Sequence, residues 1–500
     1  MGRIERQGVW NDGAWNDYGR PHADLREAIE RLERAGELRR IRGADWNLEM
    51  GTLAEIVYRE PTPPAILFED IPGYPKGYRA FSGATNSAKR LAILLGFPVP
   101  SHPLEVVRAY RDRMKTHKPI PPRVVKTGPV LENVLKGKDI DVLRFPAPKL
   151  HEHDGGRYIG TDDLVIMRDP EENWVNCGTY RSMVQGPDRV GLWISPGKHG
   201  RTIREKYFKR GKPCPVLISC GHDPLLFLAG GNEIRYGLSE YDYAAGHRGM
   251  PYDVIESELY GLPMPAHAEI VLEGTMHPGE TAPEGPFGEF TGYYAGGRSE
   301  QPVMRVERIY HRNDPILGLA CPMVPPSDFS YSKCVMKAGM IWDEVERAGL
   351  GGVRGVWVHE VGCARMFNVI SIKQAYAGHA RQAAVLAAAC QSGSYLGRFV
   401  VVVDDDVDPT NLDEVLWAMC TRCDPAEDID FIRRHWSGPL DPRLPKGVTW
   451  NSRALIDACR PYEMLGEFPP VVRASKELRE AVWRKFESQL KKIGQRDEIE

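Results

Sequence analysis

Two carboxylates, Glu284 and Glu289, stand in the segment PEGPFGEF at 283–290, among glycines and a proline that forbid a regular helix. They must sit on a bent, ordered loop. Carboxylates held close together tend to split their protonation states, so that one stays charged while the other keeps a proton to donate. From the spacing alone, an acidic surface turn is an equal reading. A second segment, NCGTYR at 176–181, reads as a strand in which Asn176, Gly178 and Tyr180 share one face and Cys177, Thr179 and Arg181 the other. An arginine on an otherwise apolar face calls for an anion, and its fork suits Glu284, a substrate carboxylate or a cofactor phosphate. A solvated arginine on an exposed sheet face is the commoner fate of any single one. His199, after a Pro-Gly-Lys turn, and Glu240, in GLSEYDYAAG, would with an amide suit a hard divalent ion bridging to a phosphate. Any one of the fourteen histidines is more often structural.

Other clusters carry less chemistry. HEHD at 151–154 has the residue types of a metal site, but consecutive side chains of an extended segment alternate faces, which favours a structural loop. CTRC at 420–423 has no second pair to complete a zinc site and no thioredoxin-like setting. The triplet Asp404 to Asp406 follows a buried strand and precedes a helix, as capping and turn residues do. Neither a GxGxxG fingerprint after a strand nor a Walker A loop is present, so ordinary dinucleotide and ATP sites have no support.

The elements that must position these residues fall into three groups. Near the start, Asp24 and Glu27 have capping-box spacing, Leu25, Ile29 and Leu32 form one stripe, and Gly36 is placed to end the helix. Helical patterns around 86–96 and 104–116 complete a small α/β lobe before the proline-rich stretch from Pro119 to Pro122. From about 155 to 320 short β-branched and aromatic runs follow, including YIGTDDLVIM, VGLWIS, PVLISCG, LLFLAG and VMRVERIYH, interrupted by one amphipathic helix at 201–211. Such spacing predicts a barrel or folded-over sheet. Beyond about 331, helices at 331–349, 373–390 and from about 411 alternate with strands near 354–359 and at Phe399 to Val403, predicting an α/β lobe with a largely parallel sheet. Ser475 can cap a last helix on which Val482, Phe486 and Leu490 recur, a stripe suited to docking on a neighbouring subunit or lobe.

A length of 500 residues suggests two to four lobes, enough to enclose a dry site. The formal charge of −3, from 65 basic and 68 acidic residues, offers no positive field for nucleic acid or anionic lipid. No window approaches the roughly 18 apolar residues needed to cross a bilayer, and the start MGRIERQGVW carries charge where a signal peptide is apolar. A cytoplasmic protein without a membrane partner is expected. Ten scattered cysteines fit that reducing compartment, as structural thiols.

Taken together, the blocks HEHDGGRYIGT, NCGTYR, GGNEIRYGLSEYDYAAG, PEGPFGEFTGYY, SIKQAYAGHARQAA, VVVVDDDVDP and WAMCTRCDP resemble, in order, those of the UbiD family of prenylated-FMN-dependent decarboxylases. The resemblance implies a mixed α/β protein with an amino-terminal α/β domain (1–118), a central split β-barrel cofactor domain (119–325), a carboxyl-terminal α/β domain (326–470) and a terminal oligomerisation helix (471–500). It implies that Arg181, Glu284 and Glu289 form the family's catalytic Glu-Arg-Glu network. Asn176, His199 and Glu240 would bind Mn²⁺ or Mg²⁺ on the cofactor phosphate, and K⁺ or Na⁺ would share Glu240 and backbone carbonyls in 229–240 and at Arg422. Thr179, Tyr180 and Lys198 would also touch the cofactor, with Lys373 and Arg398 as phosphate or structural contacts. Phe290, with Met323, Pro325 and Pro326 of the segment CPMVPPSDFSY, resembles the substrate-facing wall.

The implied reaction is the reversible, non-oxidative decarboxylation of an aromatic or heteroaromatic acid through a covalent prenylated-FMN adduct, with CO₂ as the other product and Glu289 as the proton donor. A flavin prenyltransferase would supply the cofactor, and the protein would be a homodimer or homohexamer. Alternatives are a cinnamate-like α,β-unsaturated acid, action mainly as a carboxylase or on a CoA thioester, a non-catalytic subunit of a multi-subunit carboxylase, and an ordinary flavin oxidoreductase.

Overall fold

The computed structural model describes residues 20–490, apart from residue 233. Its first helix, Leu25–Arg34, starts where the Asp24 side chain accepts from Glu27 N at 3.0 Å, and it buries Leu25, Ala28, Ile29 and Leu32. Burying one such stripe removes four side chains from water, which outweighs anything the exposed face contributes. Beside it lies a four-stranded sheet ordered Leu38–Arg42, Ala65–Glu69, Arg79–Ser82 and Ile316–Leu319. The last of these strands comes from far along the chain and pairs in parallel with Arg79–Ser82. The residues just before the proline-containing wall are thereby tied to the amino-terminal sheet.

The centre is a nine-stranded, wholly antiparallel sheet. Its order is Tyr158–Gly160, Ser182–Gly186, Arg189–Leu192, Ser299–His311, Ile270–Glu284, Cys214–Cys220, Asp163–Arg168 and Val175–Gly178, with Asn133–Lys136 on the flank of Ser299–His311. Tyr158–Gly160 and Asp163–Arg168 are adjacent in sequence yet lie first and next to last in this order, so the sheet must curl round on itself as a split barrel. A three-stranded sheet of Arg123–Val124, Asp253–Glu256 and Pro263–Pro265 lies apart from it in the pairing order.

Several sequence expectations require correction. The segment 176–181 is a strand only as far as Gly178. The Asp163 carboxylate takes Tyr180 N at 3.2 Å and Ser182 Oγ at 2.6 Å, and Arg181 lies in the irregular connection between Val175–Gly178 and Ser182–Gly186, outside either strand. LLFLAG is not a strand but most of the helix Pro224–Gly230, opened by Pro224 and by Asp223 accepting from Leu225 N at 2.8 Å. A short wholly apolar run has no periodicity to separate buried helix from buried strand. A further helix, Glu240–Arg248, also stands in the central region.

In the carboxyl-terminal lobe the helix expected at 373–390 begins only at His379, after an irregular stretch at 373–378 that ends on Gly378 with φ +81°. The five-stranded sheet is ordered Val353–Val358, Phe367–Ile372, Phe399–Asp404, Trp450–Ala458 and Ile429–Trp436. Only its three inner strands run parallel; both edge pairs are antiparallel. Asp404 and Asp406 do not cap the following helix, which Asn411 caps.

Residues 460–490 contain a short turn of helix at Tyr462–Met464 and the helix Lys476–Leu490. Ser475 Oγ accepts from Leu478 N at 3.1 Å, the expected cap, and Val482, Phe486 and Leu490 are exposed. No helix among the described residues is long and apolar enough to cross a membrane.

Candidate active site

Glu284 is the last residue of the long strand Ile270–Glu284, and Glu289 lies on the loop that follows. Gly285 makes the turn between them with φ +76°, where a Cβ would stand 2.4 Å from Gly297 O. Only glycine satisfies both demands. Arg181 reaches the same place from the turn before Ser182–Gly186. Its Nε and Nη2 donate to Glu284 Oε1 and Oε2 at 2.8 Å each, and its Nη1 donates to Glu289 Oε1. The guanidinium is stacked over Trp193, 4.4 Å from the ring centroid, with Phe287 at 5.2 Å. Tyr158 OH donates to Glu284 Oε1 at 3.0 Å.

All three charged residues are buried, at 8 % exposure for Arg181, 0 % for Glu284 and 7 % for Glu289, so solvent screening is weak. Burial drives the Glu289 pKa up to about 7; the Arg181 charge opposes this and the Glu284 charge adds to it. Burial pulls Arg181 the other way, but its bond to Glu284 and the two carboxylate charges outweigh that and its pKa is raised. Two of the arginine's nitrogens serve Glu284 and one serves Glu289. Glu289 is thus poised to exchange a proton near neutral pH beside a permanent cation.

A second buried cluster forms around Tyr180. Glu240, 3 % exposed at the start of the helix Glu240–Arg248, accepts from Asn176 Nδ2 at 2.9 Å and from Cys177 N at 2.7 Å. Tyr180 OH donates to Asn176 Oδ1 at 3.4 Å and accepts from Gly200 N at 3.2 Å, next to His199. The His199 ring meets the edges or faces of Trp174 and Tyr236 at 5.6 and 5.4 Å, and burial and then Lys198 lower its pKa. Burial lifts Glu240 to about 7 against the bonds from Cys177 N and Asn176, and among the described residues no basic side chain forms an ion pair with it. A buried carboxylate with an amide and a neutral imidazole nearby is a donor set that fits a hard divalent cation.

Of the remaining candidates, Thr179 donates its backbone N to Gly230 O at 3.2 Å, and Lys198 caps the helix His199–Lys209. Phe290 carries the Arg365 guanidinium 4.5 Å over its ring. Met323 is buried and precedes Pro325 and Pro326; a Cβ on Gly292 would come within 2.7 Å of Val324, so this segment runs close to the acid loop. Three residues are not brought to either cluster. Arg422 donates to Asp404 at 3.0 Å and to Asp406 at 2.9 Å, Arg398 donates to Asp441 at 2.6 and 2.7 Å, and Lys373 follows the strand Phe367–Ile372 with its N on Gly352 O. The side chains of Arg422 and Arg398 are bonded to carboxylates of the carboxyl-terminal lobe.

Sequence reasoning missed Tyr158, Trp193 and Phe287. Tyr158 and Trp193 reach Glu284 or Arg181 from separate segments that no local spacing links to them, and Phe287 meets the Arg181 guanidinium from the acid loop itself. HEHD is a loop, and among the described residues no group of three or more His, Cys, Asp or Glu side chains is arranged to hold a metal. All ten cysteines are free thiols.

Comparison with known proteins places this geometry in context. The chain matches the 3-octaprenyl-4-hydroxybenzoate carboxy-lyase domains of UbiD: the N-terminal domain over 29–110, the Rift-related domain over 123–325 and the C-terminal domain over 330–458. It is 35 % identical over 464 residues to the pyrrole-2-carboxylic acid decarboxylase of Pseudomonas aeruginosa, spanning 89 % of this chain and 92 % of that one. Vanillic acid decarboxylase of Sedimentibacter hydroxybenzoicus, in an open form, superposes with a TM-score of 0.81 at 30 % identity, covering 94 % of this chain and 100 % of that chain. HmfF of Pelotomaculum thermopropionicum in complex with FMN superposes with a TM-score of 0.80 at 29 % identity, covering 91 % and 98 %. An evolved dimeric form of HmfF in complex with prenylated FMN gives a TM-score of 0.78 at 29 % identity, covering 92 % and 98 %.

Proposed function

The chain belongs to the UbiD family of carboxy-lyases and is a decarboxylase, and we propose that it acts reversibly on an aromatic or heteroaromatic carboxylic acid with prenylated FMN as cofactor. The observation that carries this reading is the buried Glu284–Arg181–Glu289 network, in which Glu289 is held near a pKa of 7. Loss of CO₂ from an sp² carbon leaves an electron pair perpendicular to the π system, and no amino-acid side chain can accept it. Prenylated FMN supplies that electron sink. Asn176, His199 and Glu240 would hold a divalent ion such as Mn²⁺ against its phosphate, the charge that the buried Glu240 otherwise lacks. A monovalent ion, K⁺ or Na⁺, would share Glu240.

The rest is work for the protein. A guanidinium has five N–H donors, and three are spent on Glu284 and Glu289, leaving two to orient a substrate carboxylate. Glu289 gives its proton to the carbon that CO₂ vacates and becomes an anion beside Arg181, which stabilises it. Water recharges it; in the reverse direction it removes that proton. Phe290, Met323, Pro325 and Pro326 would form the flat wall, suited to a planar substrate. The pyrrole and vanillic acid specificities of the relatives support an aromatic substrate.

The test is Glu289→Gln in protein loaded with cofactor by co-expression with a flavin prenyltransferase. The variant should keep its flavin but lose turnover and hydrogen–deuterium exchange at the product carbon. Undiminished exchange would overturn the assignment.

A further inference from the structure

The loop at 151–156 converges on the residues that carry Glu289. Asp154 Oδ1 accepts from Gly288 N and its Oδ2 from His151 N, both at 3.0 Å. Gly155 N donates to Pro286 O at 2.7 Å, and a Cβ at Gly155 would stand 2.1 Å from Gly285 O. His151 Nε2 lies 2.8 Å from Pro322 O, at the start of the proline-containing wall. A Cβ on Gly288 would meet a carbon of the His151 ring at 2.6 Å. One short loop therefore clips the acid loop at Pro286 and Gly288 and the wall at Pro322.

Asp154 is the unexpected member. It is 4 % exposed, no basic side chain bonds to it, and burial raises its pKa. An asparagine would accept from Gly288 N as well, without the cost of burying a charge. A carboxylate adds a second acceptor, which takes His151 N, and a negative charge near Glu289, which acts in the same sense as the Glu284 charge and against Arg181. The other groups about this acid pair are Tyr158, bonded to Glu284, and His151 and Tyr294, which face Asp154.

We propose that Asp154 is a positioning residue for the proton donor, fixing the backbone at Gly288 through one oxygen and setting its charge against the ionised form of Glu289. This rests on Glu289 being the donor. The test uses the cofactor-loaded full chain and the pH dependence of kcat and kcat/KM. Asp154→Ala, which removes both bond and charge, should lower kcat by about 100-fold across the range, as a displaced donor does. Asp154→Asn should recover most of that loss, yet its basic limb should lie at lower pH than in the wild type, because Glu289 ionises more readily without the neighbouring charge. A residue that merely stabilised the fold would lower Tm and leave the limb in place. An unmoved limb in Asp154→Asn would overturn the proposal, and so would wild-type turnover in Asp154→Ala. Exchange that survives in Glu289→Gln would instead remove the donor assignment itself, which separates the two failures.

Discussion

Replacing Glu289 by Gln removes a proton-binding site that folding strengthens. The acid titrates at about 7 in the folded chain against an ordinary 4.5, and the gap of about 2.5 pH units is worth about 3 kcal/mol at 1.36 kcal/mol per unit. Between these two values the folded chain holds a proton that the unfolded chain has released. Stability from this group is therefore fully present below about pH 4.5, falls as pH rises, and is gone above about 7. From pH 5 to pH 8 the wild type should lose about 2 to 3 kcal/mol relative to Glu289→Gln. Urea unfolding of both cofactor-free proteins at pH 5, 6, 7 and 8 measures this. Asp163, Asp328 and Glu240, which burial also lifts to about 7, are common to both proteins and cancel in the difference. Parallel stability curves would show that Glu289 ionises normally, and the argument for a neutral-pH proton donor would fail with them.

Two further outcomes follow from the geometry. Glu240→Gln should lose at least tenfold in Mn²⁺ affinity, measured by calorimetry with MnCl₂, and in the wild type that affinity should weaken as pH falls below about 7, because protonation of Glu240 competes with the ion. Gly285→Ala should cost about 2 kcal/mol or more in urea unfolding and lower turnover sharply, since the new methyl meets both a left-handed backbone and the Gly297 carbonyl.

The motif PEGPFGEF was readable because glycine and proline act locally: they forbid a helix wherever they stand, so two acids among them had to lie on a shaped loop. Stripe and cap signals were equally local, which is why the helix beginning at Leu25 and the Ser475 cap were found where expected. Blocks of residues in order also identified the family. What the chain order could not supply was partnership between distant segments. Arg181 could be matched to an anion, but three choices stood open until folding set it against Glu284, 103 positions away, and Glu289. The same limit applied to LLFLAG, whose apolar run is equally compatible with helix and strand, and to Arg398, open to a phosphate or a structural partner until folding gave it Asp441. HEHD illustrates the division most clearly: its residue types suggested a metal, its spacing a plain loop, and its place against Gly288 and Pro322 gives it a third meaning. Residue type and spacing determine what a side chain can do. Only tertiary burial, by stripping water from Glu289 and placing it beside Arg181, decides the pH at which it does so.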